Sequence, residues 1–149
     1  MAAHAGSCLC GGVRYEIDGE LSDFGYCHCQ SCRKASGSAH GANAGVDKRR
    51  LELHDAEDLL REYESSPGKI RAFCSRCGSP IFAYLTQTPN LVRVRLGTLD
   101  TPFEKHARAH TFVSEKADWE TISGGTPQFD TWADPAVLRQ VGSRQPAER

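Results

Sequence analysis

Seven cysteines fall in three clusters: Cys8 and Cys10 in SCLCGG, Cys27, Cys29 and Cys32 in YCHCQSCRK, and Cys74 and Cys77 in FCSRCGS. Thiolate sulfur is a preferred zinc ligand. Structural zinc sites close with four protein ligands, whereas catalytic ones keep a position open. Cys74-x2-Cys77-Gly78 has the spacing of a zinc knuckle, where one turn sets two thiolates on one side and the glycine lets the backbone curl around an ion. Cys8 and Cys10, two apart, share one face of an extended segment, and Gly11-Gly12 can bend the chain toward a common ion. Two plus two completes a tetrahedron. Cys27, Cys29 and Cys32 then supply three ligands with no cysteine left for a fourth, the donor set of a catalytic zinc. The odd count reads as four thiols for structure and three for chemistry.

Other assignments stay open on spacing alone. His28 lies inside the triplet and could close it, although alternation turns it away from Cys27 and Cys29 in an extended segment. His40, His106 or His110 could arrive from elsewhere and make a second closed site. Redox thiols without metal are a further possibility. So is a pairing of Cys8 and Cys10 with the triplet, which would strand Cys74 and Cys77. The odd count and the Cys-x-Cys spacing disfavour an iron–sulfur cluster.

Three thiolates on Zn2+ carry a net negative charge, and Arg33 and Lys34 directly after Cys32 would offset it. A short helix capped by Ser31 would add backbone N–H groups. His28, His40 and His110 are candidate proton carriers. Arg33, Lys34, Arg71, Arg93 and Arg95 are candidate cationic groups beside such a site. In LVRVRL, however, Arg93 and Arg95 read first as the solvated face of a strand, and DKRR at Asp47–Arg50 reads as an exposed turn. Tyr26, Phe73 and Phe82 flank the cysteines, with Phe73 and Phe82 expected in the core.

The elements that must position these thiols are short. Val13–Ile17 alternates as a half-buried strand does. Leu59–Ser65 and Lys69–Cys74 flank Ser66-Pro67-Gly68 as a hairpin, and Ile81–Leu85 and Leu91–Leu96 flank a second turn at Thr86–Asn90. Arg108–Val113 is a late candidate strand. AEDLLREY is ambiguous between helix and strand. One or two helical turns are expected over Cys32–Ser36. The whole reads as one mostly β domain over residues 1–134, followed by a polar tail over 135–149 that is expected to be partly disordered.

A length of 149 residues fits one domain, and 39% hydrophobic with 25% charged residues is ordinary globular composition. A net charge of −1 and a pI near 6.6, with no basic helix after the knuckles, argue against nucleic acid as a partner. Apolar runs fall far short of the ~20 residues of a membrane span. The start MAAHAGSCLC lacks a basic region followed by an apolar one, which leads to a cytoplasmic expectation, where clustered thiols hold metal or do chemistry.

In this order GSCLCGGVRYEI, YCHCQSCRKASG, FCSRCGSPIF and LGTLD, with the late stretch HARAHTFVSEKADWETISGGTPQFD, resemble the glutathione-dependent formaldehyde-activating (Gfa/CENP-V) family. The resemblance runs from about Gly6 to about Trp132. It implies a beta-tent fold of small antiparallel sheets with little helix, stapled by zinc. It also implies two Zn2+ per chain: a structural one on Cys8, Cys10, Cys74 and Cys77, and a catalytic one on Cys27, Cys29 and Cys32. The implied activity is that of a carbon–sulfur lyase joining glutathione to formaldehyde as S-hydroxymethylglutathione, or acting on another thiol adduct. The alternative is a non-catalytic, zinc-stabilised protein-binding module.

Overall fold

Glycine and proline cut the chain into short runs, and the runs become short strands. The structure, a computed structural model, describes residues 3–139. Its strands and single α-helix follow in the order β1 (His4–Ser7), β2 (Arg14–Ile17), β3 (Phe24–Cys27), α1 (Gln30–Ser36), β4 (Gly41–Asp47), β5 (Leu51–His54), β6 (Leu60–Ser66), β7 (Lys69–Cys74), β8 (Pro80–Leu85), β9 (Leu91–Arg95) and β10 (His110–Thr111). They form a three-stranded sheet, β1-β2-β5, and a seven-stranded sheet, β10-β3-β4-β9-β8-β7-β6. All pairings are antiparallel except the two-residue parallel pairing of β10 with β3. The fold is mainly β. Among the described residues no helix is long and apolar enough to cross a membrane.

Both expected hairpins are present, with bounds shifted by a residue or so. Gly68, at φ +78°, supplies the left-handed residue between β6 and β7. AEDLLREY resolves as a turn and a strand. The Asp55 carboxylate accepts N–H bonds from Leu59 and Leu60 at 2.8 and 2.9 Å, which ends any helical continuation before β6. The helix begins two residues earlier than expected. Its N-cap is Cys29, not Ser31, and Gly37 at φ +67° ends it. Of Arg108–Val113 only His110 and Thr111 are strand. The tail expected over 135–149 lies, from residue 140 on, outside the described residues; ahead of that point Leu138 is buried beside Ala109 and Ala133.

Period two gives the large sheet two different faces. One face carries Phe24, Ala44, Val46, Ala72, Phe82, Val92 and Val94, packed in one core with Val13, Tyr15, Ile17 and Leu21. The other carries Cys27, Asn43, Lys69, Arg71, Arg93 and Arg95. Register sets Arg71 and Arg93 on either side of Ala83, and Arg95 beside Asn43. The core face is therefore apolar, and the opposite face holds a thiol together with the amide, the amine and the guanidiniums.

Tyr15 ties the small sheet to the end of β9. Thr98 donates to the Arg95 carbonyl at 2.8 Å, which leaves its oxygen to accept the Tyr15 hydroxyl at 2.7 Å. Tyr15 is 1% exposed, and burial pushes its phenol up to about 12. Gly6 makes this approach possible, because a Cβ there would collide with the Tyr15 ring and stand 2.6 Å from the Thr98 carbonyl. Gly6→Ala is expected to cost about 1–3 kcal/mol, the range of overpacking. Urea denaturation checks it, and an unchanged midpoint would show that Tyr15 can move aside.

Candidate active site and metal centres

Cys8 and Cys10 sit in the loop joining β1 to β2. Cys74 ends β7, and Cys77 follows in the turn to β8. Their four sulfurs lie within 4.8 Å of one another, with Cys8–Cys10 at 3.5 Å and Cys10–Cys74 at 3.8 Å, and none is in a disulfide. Gly78, at φ +79°, folds the knuckle back so that its N–H donates to the Cys74 carbonyl at 2.8 Å. Val13 N–H donates to Cys8 Sγ at 3.3 Å. Such a set can hold several thiolates only around a cation. Alone, the sulfurs diverge: the Ser79 hydroxyl draws Cys77 down to about 5, while burial pushes Cys74 up to about 11. The donor set fits a closed tetrathiolate ion. It also joins the two sheets, since Cys8 and Cys10 hang from the small one and Cys74 and Cys77 from the large one.

The triplet forms where β3 gives way to α1. Cys27 is the last residue of β3, Cys29 is the helix N-cap and Cys32 lies in the first turn; Cys32 N–H donates to Cys29 Sγ at 3.3 Å. Opposite Cys27 stands Gly41, where a Cβ would come within 3.3 Å of the Cys32 Cβ. The glycine thus makes room for the third thiol. The three sulfurs lie within 4.8 Å of one another, and among the described residues no histidine or carboxylate joins them. This donor set fits an ion with a position left open. The thiols border a cavity of about 450 Å³ also lined by Asn43, Lys69, Arg71 and Arg93.

The histidines considered as a fourth ligand or proton carrier lie elsewhere. His28 points away from its neighbouring thiols, as alternation implies, and is fully buried. Its Nε2 pairs with Nδ1 of His110 at 2.9 Å, and His40 stacks on Tyr26 with ring centroids 4.0 Å apart. Burial first, and then the charges of His40 and His110, hold His28 down to about 4. None of the three lines the cavity, and His106 is exposed.

Arg93 and Arg95 correct the sequence reading most sharply. Their face of β9 does not meet open solvent; it is the partly covered face bearing the thiols. Hydrogen bonds from Cys27 and Cys29 lower the Cys32 thiol, and the charges of Arg95 and Arg71 act in the same direction. Cys27 is raised in turn by its bonds to Cys29 and Cys32, so the three sulfurs favour a shared charge. Lys69, which sequence reasoning did not single out, stands two residues before Arg71 on the same strand face. Burial, with Arg93, Arg95 and Arg71 nearby, lowers its amine to about 8. Its signal was the alternation in KIRAFC, hidden because a lysine beside a turn reads as solvated. Phe82 is in the core as expected, whereas Phe73 is half-buried beside a second cavity that Lys34 also lines.

The family model described as glutathione-dependent formaldehyde-activating enzyme matches residues 3–115. The chain belongs to this family. A Halomonas elongata protein named "Putative glutathione-dependent formaldehyde-activating enzyme" is 34% identical over 125 residues, covering 78% of this chain and 79% of its own. A Schizosaccharomyces pombe protein named as an uncharacterized lyase is 27% identical over 133 residues, covering 87% and 92%. A crystal structure of a Rhodobacter sphaeroides protein shares the fold at a TM-score of 0.55 and 23% identity, over 67% of this chain and 91% of that one. The family match spans all seven cysteines. A further group of donors, Glu16, Glu52 and His54, lies exposed on the small sheet, where His54 pairs with Glu16 at 2.9 Å.

Proposed function

We propose that this member of the family catalyses the reversible addition of glutathione to formaldehyde, which in the reverse sense makes it a carbon–sulfur lyase. The observation that carries the reading is the three-thiol cluster, without a fourth donor among the described residues, opening onto a cavity rich in cationic side chains. At about 450 Å³ that cavity falls in the range of small-molecule sites. The same opening disfavours a purely structural second site and hence a binding module.

Cys27, Cys29 and Cys32 would hold a zinc ion with one position open, and the ion would act there as a Lewis acid that favours the thiolate form of a thiol. Arg71 and Arg93 favour the same form by charge, and the cavity holds sulfur and carbonyl close together. The sulfur lone pair forms the C–S bond while the carbonyl π pair moves to oxygen. The proton lost by the thiol is matched by the one gained by that oxygen. Among the described residues that line the cavity, thiols aside, Lys69 Nζ is the group suited to hold and pass a proton near neutrality, with an amine lowered to about 8. In reverse it takes the hydroxyl proton as the C–S bond breaks.

Magnetisation-exchange NMR on equilibrated formaldehyde and glutathione tests this reading. Exchange between formaldehyde hydrate and S-hydroxymethylglutathione is expected to rise in proportion to zinc-loaded protein. Exchange at the uncatalysed rate across all protein concentrations would overturn it.

A further inference from the structure

Arg71 on β7 and Arg95 on β9 bring charge to the thiol face that the described chain does not answer. Arg71 Nε donates to Ser65 Oγ at 2.8 Å, but its Nη1 is buried without a partner, as is Nη2 of Arg95. Among the described residues neither forms an ion pair with a carboxylate. Among the described residues no Asp or Glu lines the cavity at the thiols or the second one, of about 470 Å³, alongside it. Guanidinium donors buried without acceptors are disfavoured unless an anion meets them.

The thiols do not absorb this charge. Three thiolates around a dication would leave one negative charge, against the two guanidiniums of Arg71 and Arg95. Ser31 and Arg71 line both cavities, so the surface runs from the sulfur site onto a shelf flanked by Lys34, Phe73 and Arg95. A planar guanidinium fork matches a carboxylate in a bidentate way that an amine or hydroxyl cannot.

Resting on the thiol reading above, we propose that Arg71 and Arg95 form a carboxylate-binding subsite beside Cys27, Cys29 and Cys32, so that the site selects thiols bearing a carboxylate. A sulfur at the triplet then leaves the ligand's carboxylate on the guanidinium shelf. Neutral thiols gain only the sulfur contact, and thiols carrying an amine alone are repelled.

Calorimetric titration of zinc-loaded protein tests the subsite with four ligands: glutathione, its diethyl ester, S-methylglutathione and 2-mercaptoethanol. The ester is expected to bind at least tenfold more weakly than glutathione, a comparison that needs no substitution. In Arg71→Gln, checked for an unchanged far-UV circular dichroism spectrum, the preference for glutathione over 2-mercaptoethanol is expected to fall at least tenfold. Equal affinity for glutathione and its ester overturns the subsite, and if both still bind better than S-methylglutathione the thiol reading stands without it. Binding of S-methylglutathione that is lost in Arg71→Gln, with no binding of 2-mercaptoethanol, supports the subsite and overturns the thiol reading. Silence from all four ligands overturns both.

Discussion

Cys77→Ser is expected to leave most of the chain unfolded at 25 °C. On the proposed assignment it removes one of four sulfurs from the cluster that joins the two sheets. Structural zinc on such ligand sets contributes roughly 10–16 kcal/mol of apparent folding free energy. A domain of this size has only about 5–15 kcal/mol of net stability. Loss of the whole metal contribution therefore exceeds most of that range, and loss of half of it, about 5–8 kcal/mol, already reaches its lower end. Cys8 and Cys74 show why the remainder cannot simply close over the gap: they are 4% and 0% exposed, and both belong to the main core. Unpaired thiolates there would meet apolar neighbours. Circular dichroism together with zinc analysis checks the prediction. A cooperative melt at the wild-type temperature would remove the structural role from this cluster.

Cys29→Ser is expected to do the reverse, cutting catalysed exchange by about a thousandfold while costing less than about 2 kcal/mol of stability. Serine is a favoured N-cap, so its hydroxyl can accept the Cys32 N–H that the Cys29 thiol accepts now, and α1 keeps its start. A neutral hydroxyl does not replace a thiolate as a zinc ligand, however, and an ion held by two sulfurs would be weakly bound. Exchange NMR and urea denaturation on the same sample separate the two effects. Full activity in a folded Cys29→Ser protein would take the triplet out of the reaction. The contrast with Cys77 depends on position: Cys29 caps a seven-residue helix at the border of the cavity, whereas Cys77 lies at the seam between sheets.

How the cysteines group was legible because their spacing is local and their number small. Cys74-x2-Cys77 needs one turn, and the count leaves few ways to divide the remaining thiols. His28 could also be placed, since alternation along β3 sends it away from its neighbours. Arg93 and Arg95 show where such reasoning ends. Period two says that a strand has two unlike faces, but not which of them another element covers. Here the polar face looks onto the cavities that α1 borders, and covering depends on chain far away in sequence. β4 was missed for a related reason. GANAGVD has little intrinsic preference for a strand, and β3 and β9 pairing on either side supply it. Its small residues are the ones that leave room for Cys32 above the sheet.

The seam between the sheets also governs the order in which a ribosome can complete the molecule. Cys10 emerges long before Cys74, its partner 64 positions on, and β3 waits longer still for β10. Until residue 77 is free the N-terminal hairpin has half of its four-thiol cluster, and until residue 111 is free one edge of β3 lacks its neighbour. Long-range pairings of this kind slow folding and keep strand edges exposed. Nascent chains of this protein are thus committed late, and on the proposed assignment zinc supply and shielding of the β3 edge during translation bear on the yield of folded protein alongside final stability.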